Sequence, residues 1–149
     1  MLRVVLDTNV FVDALNGSGL TRKILDLGLR SKFRLIVSYD ILYELMRVLR
    51  EYFGWSDERR YRWYQRIGDC ASVVRPLIKV EGCRDLDDNK LLECCLSGNA
   101  DYLVSLDNDL LDIGEFHGVR IVNVDDFWQI LVSKGLDENG TTKAKRLVW

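Results

Sequence analysis

One proline, one histidine and four cysteines are all that this chain of 149 residues holds of those types, and no apolar run approaches the roughly 20 residues needed to span a bilayer. Each scarcity excludes something. Cys70, Cys83, Cys94 and Cys95 show no paired C-x-x-C spacing and His117 stands alone, so no ligand set for structural zinc is present. The cysteines read as buried thiols, with a disulfide through Cys70 or Cys83 as the alternative. There is no excess of positive charge: the net charge is -2, so nucleic acid can be bound only through a local patch. Glycine loops of the P-loop and dinucleotide types are missing, which disfavours nucleotide hydrolysis and hydride transfer. The chain opens on the strand-like Leu2–Leu6 without a signal-peptide pattern, from which a cytoplasmic location is expected.

Hydrophobic residues make up 48% and charged residues 30%, a balance that supports a folded core in one domain. Short β-branched runs alternate with longer amphipathic stretches, the pattern of an α/β domain whose central parallel sheet is flanked by helices. Five strands are expected, at Leu2–Leu6, Arg34–Val37, Ser72–Arg75, Tyr102–Ser105 and Arg120–Asn123. Helices are expected over Leu20–Arg30, from Ser38 to about Phe53, from Ser56 through Ile67, over Asp85–Leu96 and over Val124–Ser133. The domain is expected to occupy residues 1–135, with 136–149 as a polar and basic C-terminal tail.

In open parallel sheets the binding crevice lies at the carboxyl ends of the strands, and acids recur there. Asp7 follows the first strand and Asp107 the fourth. Glu44 lies less than two turns into the helix after the second strand. Asp88 lies in the first turn of the helix before the fourth. Asp7 reads either as a helix cap or as a ligand, and Asp107 either as a turn residue or as a ligand. Glu44 has Ile41 at i-3 and Val48 at i+4, a stripe that should face the sheet, where an unpaired carboxylate is costly. Asp88 has Leu91, Leu92 and Cys95 on its face, whereas Asp87 shares a face with Lys90, so Asp88 is the inward one. Two unit charges about 5 Å apart repel by roughly 3 kcal/mol at an effective dielectric of about 20, so a cluster of four needs protons or cations. All-oxygen ligands suit Mg²⁺ or Mn²⁺, the ions that phosphoryl transfer uses to activate water and to stabilise developing charge.

The sequence resembles the PIN-domain family, in particular the short prokaryotic PIN proteins described as toxins of toxin-antitoxin systems. The matching segments are Val4-Val5-Leu6-Asp7-Thr8-Asn9-Val10, the helix with Glu44, Asp85 to Glu93, and Ala100 to Leu111. The resemblance runs over roughly residues 1 to 132, and it is the ordered combination of segments that carries it. It implies a metal-dependent endoribonuclease whose acidic quartet corresponds to Asp7, Glu44, Asp88 and Asp107, with Thr8 and Asn9 shaping the turn and Ser105 as the small hydroxyl residue before the fourth acid. Asp87 beside Asp88, and Asp109 beside Asp107, are alternative holders of those roles. An antitoxin protein is the partner this resemblance implies.

Fourteen arginines against seven lysines, with Arg47, Arg50, Arg59, Arg60, Arg62 and Arg66 close together, give the local basic patch. Arg59, Arg62 and Arg66 are the expected RNA contacts, with Trp55, Tyr61, Trp63 and Tyr64 available to stack on unpaired bases. The same aromatics equally fit a homodimer interface. A haloacid-dehalogenase-like phosphatase would need aspartate where Asn9 stands, and a receiver domain would need paired acids after the first strand and a lysine after the last. A non-catalytic PIN-like module that holds RNA or protein is the alternative from a different class, and an intact acidic quartet weighs against it.

Overall fold

Val4, Val5 and Leu6 have no exposed surface, as an apolar strand covered on both faces must. They belong to β1 (Arg3–Leu6), an inner strand of a six-stranded sheet in the computed structural model, which describes residues 1–17, 19–83 and 85–137. From β1 the chain runs through α1 (Thr8–Asn16) and α2 (Leu20–Leu29) to β2 (Arg34–Ser38), then α3 (Tyr39–Glu51), α4 (Asp57–Cys70) and β3 (Ser72–Val74). It continues through α5 (Leu86–Ser97), β4 (Tyr102–Val104), α6 (Asn108–Ile113), β5 (Glu115–Phe116), β6 (Val119–Val122) and α7 (Val124–Ser133). The order across the sheet is β3-β2-β1-β4-β6-β5, with every pairing parallel except β5 with β6. This is the α/β fold with a mostly parallel sheet that the alternating pattern predicts.

Two elements depart from the sequence expectation. The expected five strands are joined by a sixth, β5, because Phe116 and Val119 pair across a two-residue turn. His117 and Gly118 hold positive φ there (48° and 86°), the backbone twist that tight hairpins need, and His117 is an exposed turn residue. The segment after β4 is helical as well: Asp107 caps α6 by accepting from the Asp109 N–H at 3.0 Å. The expected tail begins at Leu136, but from residue 138 it lies outside the described residues.

Helix starts follow local chemistry. Ser38 accepts from the Ile41 N–H to open α3, and Ser56 accepts from the Arg59 N–H to open α4, where Asp57 and Glu58 complement the helix dipole. Gly98 ends α5 where a side chain has no room: a Cβ there would lie 2.5 Å from Ile36 of β2. Phe33 and Phe127 meet edge to face at 5.6 Å and join α7 to the core. All four cysteines are free thiols. Cys94 and Cys95 are buried as expected, while Cys70 and Cys83 are only partly covered because they flank β3 and the loop after it.

Candidate active site

The strand order reverses between β1 and β4, so at their carboxyl ends the connections leave in opposite directions and open a crevice. The residues that emerge there are Asp7 and Ser105-Leu106-Asp107. Asp7 is only 5% exposed. One carboxylate oxygen accepts from the Asn9 N–H at 3.3 Å, which caps α1, and the other accepts from the Ser105 hydroxyl at 2.8 Å. The two readings of Asp7, cap and site residue, are thus compatible in one side chain. The Ser105 oxygen in turn accepts from the Asp107 N–H at 3.0 Å, so one buried hydroxyl fixes the relative placement of both acids.

Asp88 comes to the same place from α5. Asp85 caps that helix by accepting from the Asp87 N–H, and Asp88 in the first turn is 7% exposed whereas Asp87 faces solvent. Next to Asp88, buried Asn89 accepts from the Cys83 N–H at 3.1 Å and ties the preceding loop to the helix. Gly82, Cys83, Asp88, Asp109, Asp112 and Ile113 line a cleft of about 280 Å³ beside the acids. Exposed Asp112 in that wall is not among the acids the sequence pattern predicts, because the pattern marks no helix directly after β4.

The carboxylates act on one another through their charges. Burial pushes the Asp88 carboxyl up to about 7, with the charges of Asp107, Asp85 and Asp7 adding to the effect. Glu44, half-buried on α3, is also raised to about 7, by burial and then by Asp87, with a smaller contribution from Asp7 and partial relief from Arg47. Burial raises Asp7 as well, against the Ser105 and Asn9 hydrogen bonds that lower it, while Asp107 raises it further. Asp7, Asp88 and Asp107 therefore form the inner group, and Glu44 stands at its edge with Asp87 as its nearest acidic neighbour.

The donor set is all oxygen, and the charges of neighbouring acids raise the proton affinity of Asp7, Asp88 and Glu44, which suits a hard divalent cation. Among the described residues no three acidic side chains gather closely enough to hold one ion by direct ligation. A cation that keeps much of its water shell, as Mg²⁺ does, needs only one or two direct carboxylates. The chemistry of the residues fits such an ion.

The expected RNA patch is rearranged. Trp55 and Trp63 are 5% and 6% exposed and belong to the core, so they cannot stack on bases. Arg59 lies over the Trp55 ring at 3.5 Å from its centre and Arg66 over the Trp63 ring at 4.9 Å, each cation covering a buried ring. The reason is that α4 buries little else: Trp63 and Ile67 are its only buried residues, and the tryptophan supplies the packing that fastens the helix. Arg62 is exposed on the same helix. Among the described residues, Arg47 of α3 is a cation that acts on Glu44, at the edge of the acidic group.

Comparison with known proteins agrees with the architecture. The chain is 33% identical over 118 residues, 75% of each chain, to an uncharacterized protein of Methanocaldococcus jannaschii. Residues 3–109 match the family model described as PIN domain, a span that contains Asp7, Glu44, Asp88 and Asp107. The chain belongs to the PIN-domain family, a family of nucleases that typically use divalent metal ions.

Proposed function

We propose that this protein is a metal-dependent endoribonuclease that hydrolyses RNA phosphodiester bonds, with Asp7, Glu44, Asp88 and Asp107 as its metal-binding and catalytic acids and Mg²⁺ or Mn²⁺ as its cofactor. The observation that carries this is buried Asp7, linked through the Ser105 hydroxyl to half-buried Asp107 and joined by buried Asp88, at the reversal point of the sheet. Burying acids beside one another without a counter-ion is unfavourable, and a site of that kind is expected where a cation is to be held.

The cation, when bound, neutralises charge on phosphate oxygens and makes water a better nucleophile. The chain contributes placement. Ser105 holds Asp7 in one rotamer, the strand ends fix Asp7 and Asp107 against each other, and Asn89 steadies the loop that walls the cleft next to Asp88. Asp88 and Glu44 must lose protons held to about 7 before they can bind a cation, so metal loading and cleavage rise together as pH passes upward through that value.

The test is a fluorescent RNA incubated with Mn²⁺ or with EDTA, for the wild type and for Asp7→Asn. Cleavage is expected only with Mn²⁺ and the wild type, and the variant is expected to stay folded because asparagine keeps the capping oxygen. Full cleavage by Asp7→Asn sinks the mechanism. Metal-independent RNA binding without cleavage in the wild type identifies a non-catalytic module instead. The proposed setting is a toxin-antitoxin pair, and a small antitoxin-like reading frame beside the gene is its check.

A further inference from the structure

An apolar cleft of about 600 Å³ lies between α3 and α4 and is lined by Tyr43, Met46, Tyr61 and Tyr64, with Asp57, Glu58 and Arg60 at the α4 start. Tyr43 is 60% exposed. Its ring is parallel to that of Tyr64 at 6.4 Å and tilted against that of Tyr39 at 6.1 Å, so three π faces stand in a row. The guanidinium of exposed Arg75 lies 5.0 Å over the Tyr39 ring and closes the row with a positive charge.

The row has a direction relative to the acids. Tyr39 follows β2 and Arg75 follows β3, so both leave the carboxyl edge of the sheet, as Asp7 does. Neighbouring strands are about 4.8 Å apart, which puts the exits of Tyr39 and Arg75 one and two strand spacings from that of Asp7. Tyr43 also precedes Glu44 on α3 and shares a helix stripe with Arg47 four residues on. At the far end Asp57 is paired with Arg60, and Glu58 leaves a net negative charge that disfavours a polyanion there.

We propose that Tyr39, Tyr43 and Tyr64, with Arg75, form the path for unpaired RNA on the β3 side of the acids, the bases stacking on tyrosine and Arg75 holding a phosphate. This rests on the nuclease reading for its choice of polymer. The exposed Tyr43 ring, flanked by the half-buried Tyr39 and Tyr64 rings and with a cation at one end, suits single strands, whose bases have uncovered faces, and not duplexes, whose bases are already stacked. The path replaces the buried tryptophans as the source of stacking.

The test is fluorescence anisotropy of a labelled, unstructured oligoribonucleotide on the full chain in EDTA, where cleavage is absent, alongside KM and kcat with Mn²⁺. Tyr43→Ala is expected to weaken binding about ten-fold and to place its cleavage loss in KM, whereas Tyr43→Phe retains affinity because the π face remains. Tyr52→Ala, which is 73% exposed but off the row, should change nothing and serves as the control for general surface loss. Arg75→Ala should flatten the salt dependence of binding by somewhat under one unit of slope. Unchanged affinity and KM in Tyr43→Ala overturn the proposal. So does loss of a dimer in sedimentation with RNA affinity intact, which assigns the tyrosines to contact with another protein. If the wild type binds RNA through Tyr43 yet never cleaves with Mn²⁺, the nuclease reading fails and the path stands.

Discussion

The carboxylate rim and helix α4 are both rich in charge, yet their charges are placed by opposite physics. At the rim, Asp7 and Asp88 are drawn into the protein and held there by strand ends, Ser105 and a capped helix, so their surroundings raise their proton affinity. On α4 most charges stay at the surface, and it is Trp63, together with Trp55 just before the helix, that is drawn in, with Arg66 and Arg59 lying over the buried rings. A buried acid that costs stability signals a task, whereas an exposed arginine over a buried tryptophan signals packing first. The contrast implies that substitutions of the buried α4 residues should act mainly on stability and those at the rim mainly on chemistry.

The largest effect expected from this contrast is on the α4 side. Trp63→Ala should cost about 3–5 kcal/mol of stability, the range for truncating a large aromatic in a core, measured by urea denaturation. A loss below about 1 kcal/mol would show that Trp63 is not the anchor and return it to the surface chemistry first read for it.

At the rim, pH should move stability in a defined direction. Asp88 and Glu44 are raised from ordinary carboxylate values to about 7 in the folded, metal-free protein. Between about pH 4 and pH 7 the folded state therefore binds protons that the unfolded chain has released, and the slope of stability with pH is negative. Their contribution is whole below the unfolded pKa and is lost as pH rises through about 7. The expected result is a Tm in EDTA that falls over that window, with a shallower fall in Asp88→Asn and partial recovery when Mn²⁺ is added at pH 8. A metal-free Tm that rises across the window in the wild type and equally in Asp88→Asn would mean that these carboxyls are not raised.

Ser105→Ala probes the link between two of the acids. It removes the donor to Asp7 and the acceptor for the Asp107 N–H in one step, at a cost of about 1–3 kcal/mol if those groups stay buried. Mn²⁺ affinity should fall with it, because Asp7 loses the hydrogen bond that favours its charged form. Titration calorimetry that finds wild-type affinity would reduce Ser105 to a structural role.

These outcomes bear on how far a sequence alone can be read. Asp7 and Asp107 were legible because an acid directly after a β-branched run has one place to go, the carboxyl edge, and the strand order then brings them together. The inward spacing of Asp88 was legible for the same kind of reason: Leu91, Leu92 and Cys95 define its face. The link through Ser105 was not, since a hydroxyl bridging residues 98 apart leaves no periodic trace. Nor was the proximity of Asp87 to Glu44, which depends on how α3 and α5 approach each other. β5 is two residues long and carries no alternation to detect. On α4 the chemistry itself misled: Arg and Trp interleaved at helical spacing describe an RNA surface and a snorkelled core equally well, and only burial separates them.

The smallest effect, and the one that sharpens the contrast most, is expected from Arg62→Ala. Arg62 is exposed, and on α4 it stands two residues from Tyr64, about 200° around the helix by the usual 3.6 residues per turn. That turns it away from the tyrosine row, so its loss should change RNA affinity by no more than about two-fold and leave stability within about 0.5 kcal/mol. The discriminating quantity is the salt dependence. A side chain that neutralises one phosphate contributes about 0.7–0.9 to the slope of log K against log salt, and removing it subtracts that amount. If the slope of Arg62→Ala matches the wild type while that of Arg75→Ala falls, RNA follows α3 and the ends of β2 and β3. If the two results are reversed, the strand crosses α4 instead, and the arginines first singled out by their clustering recover the role that the buried tryptophans took from them.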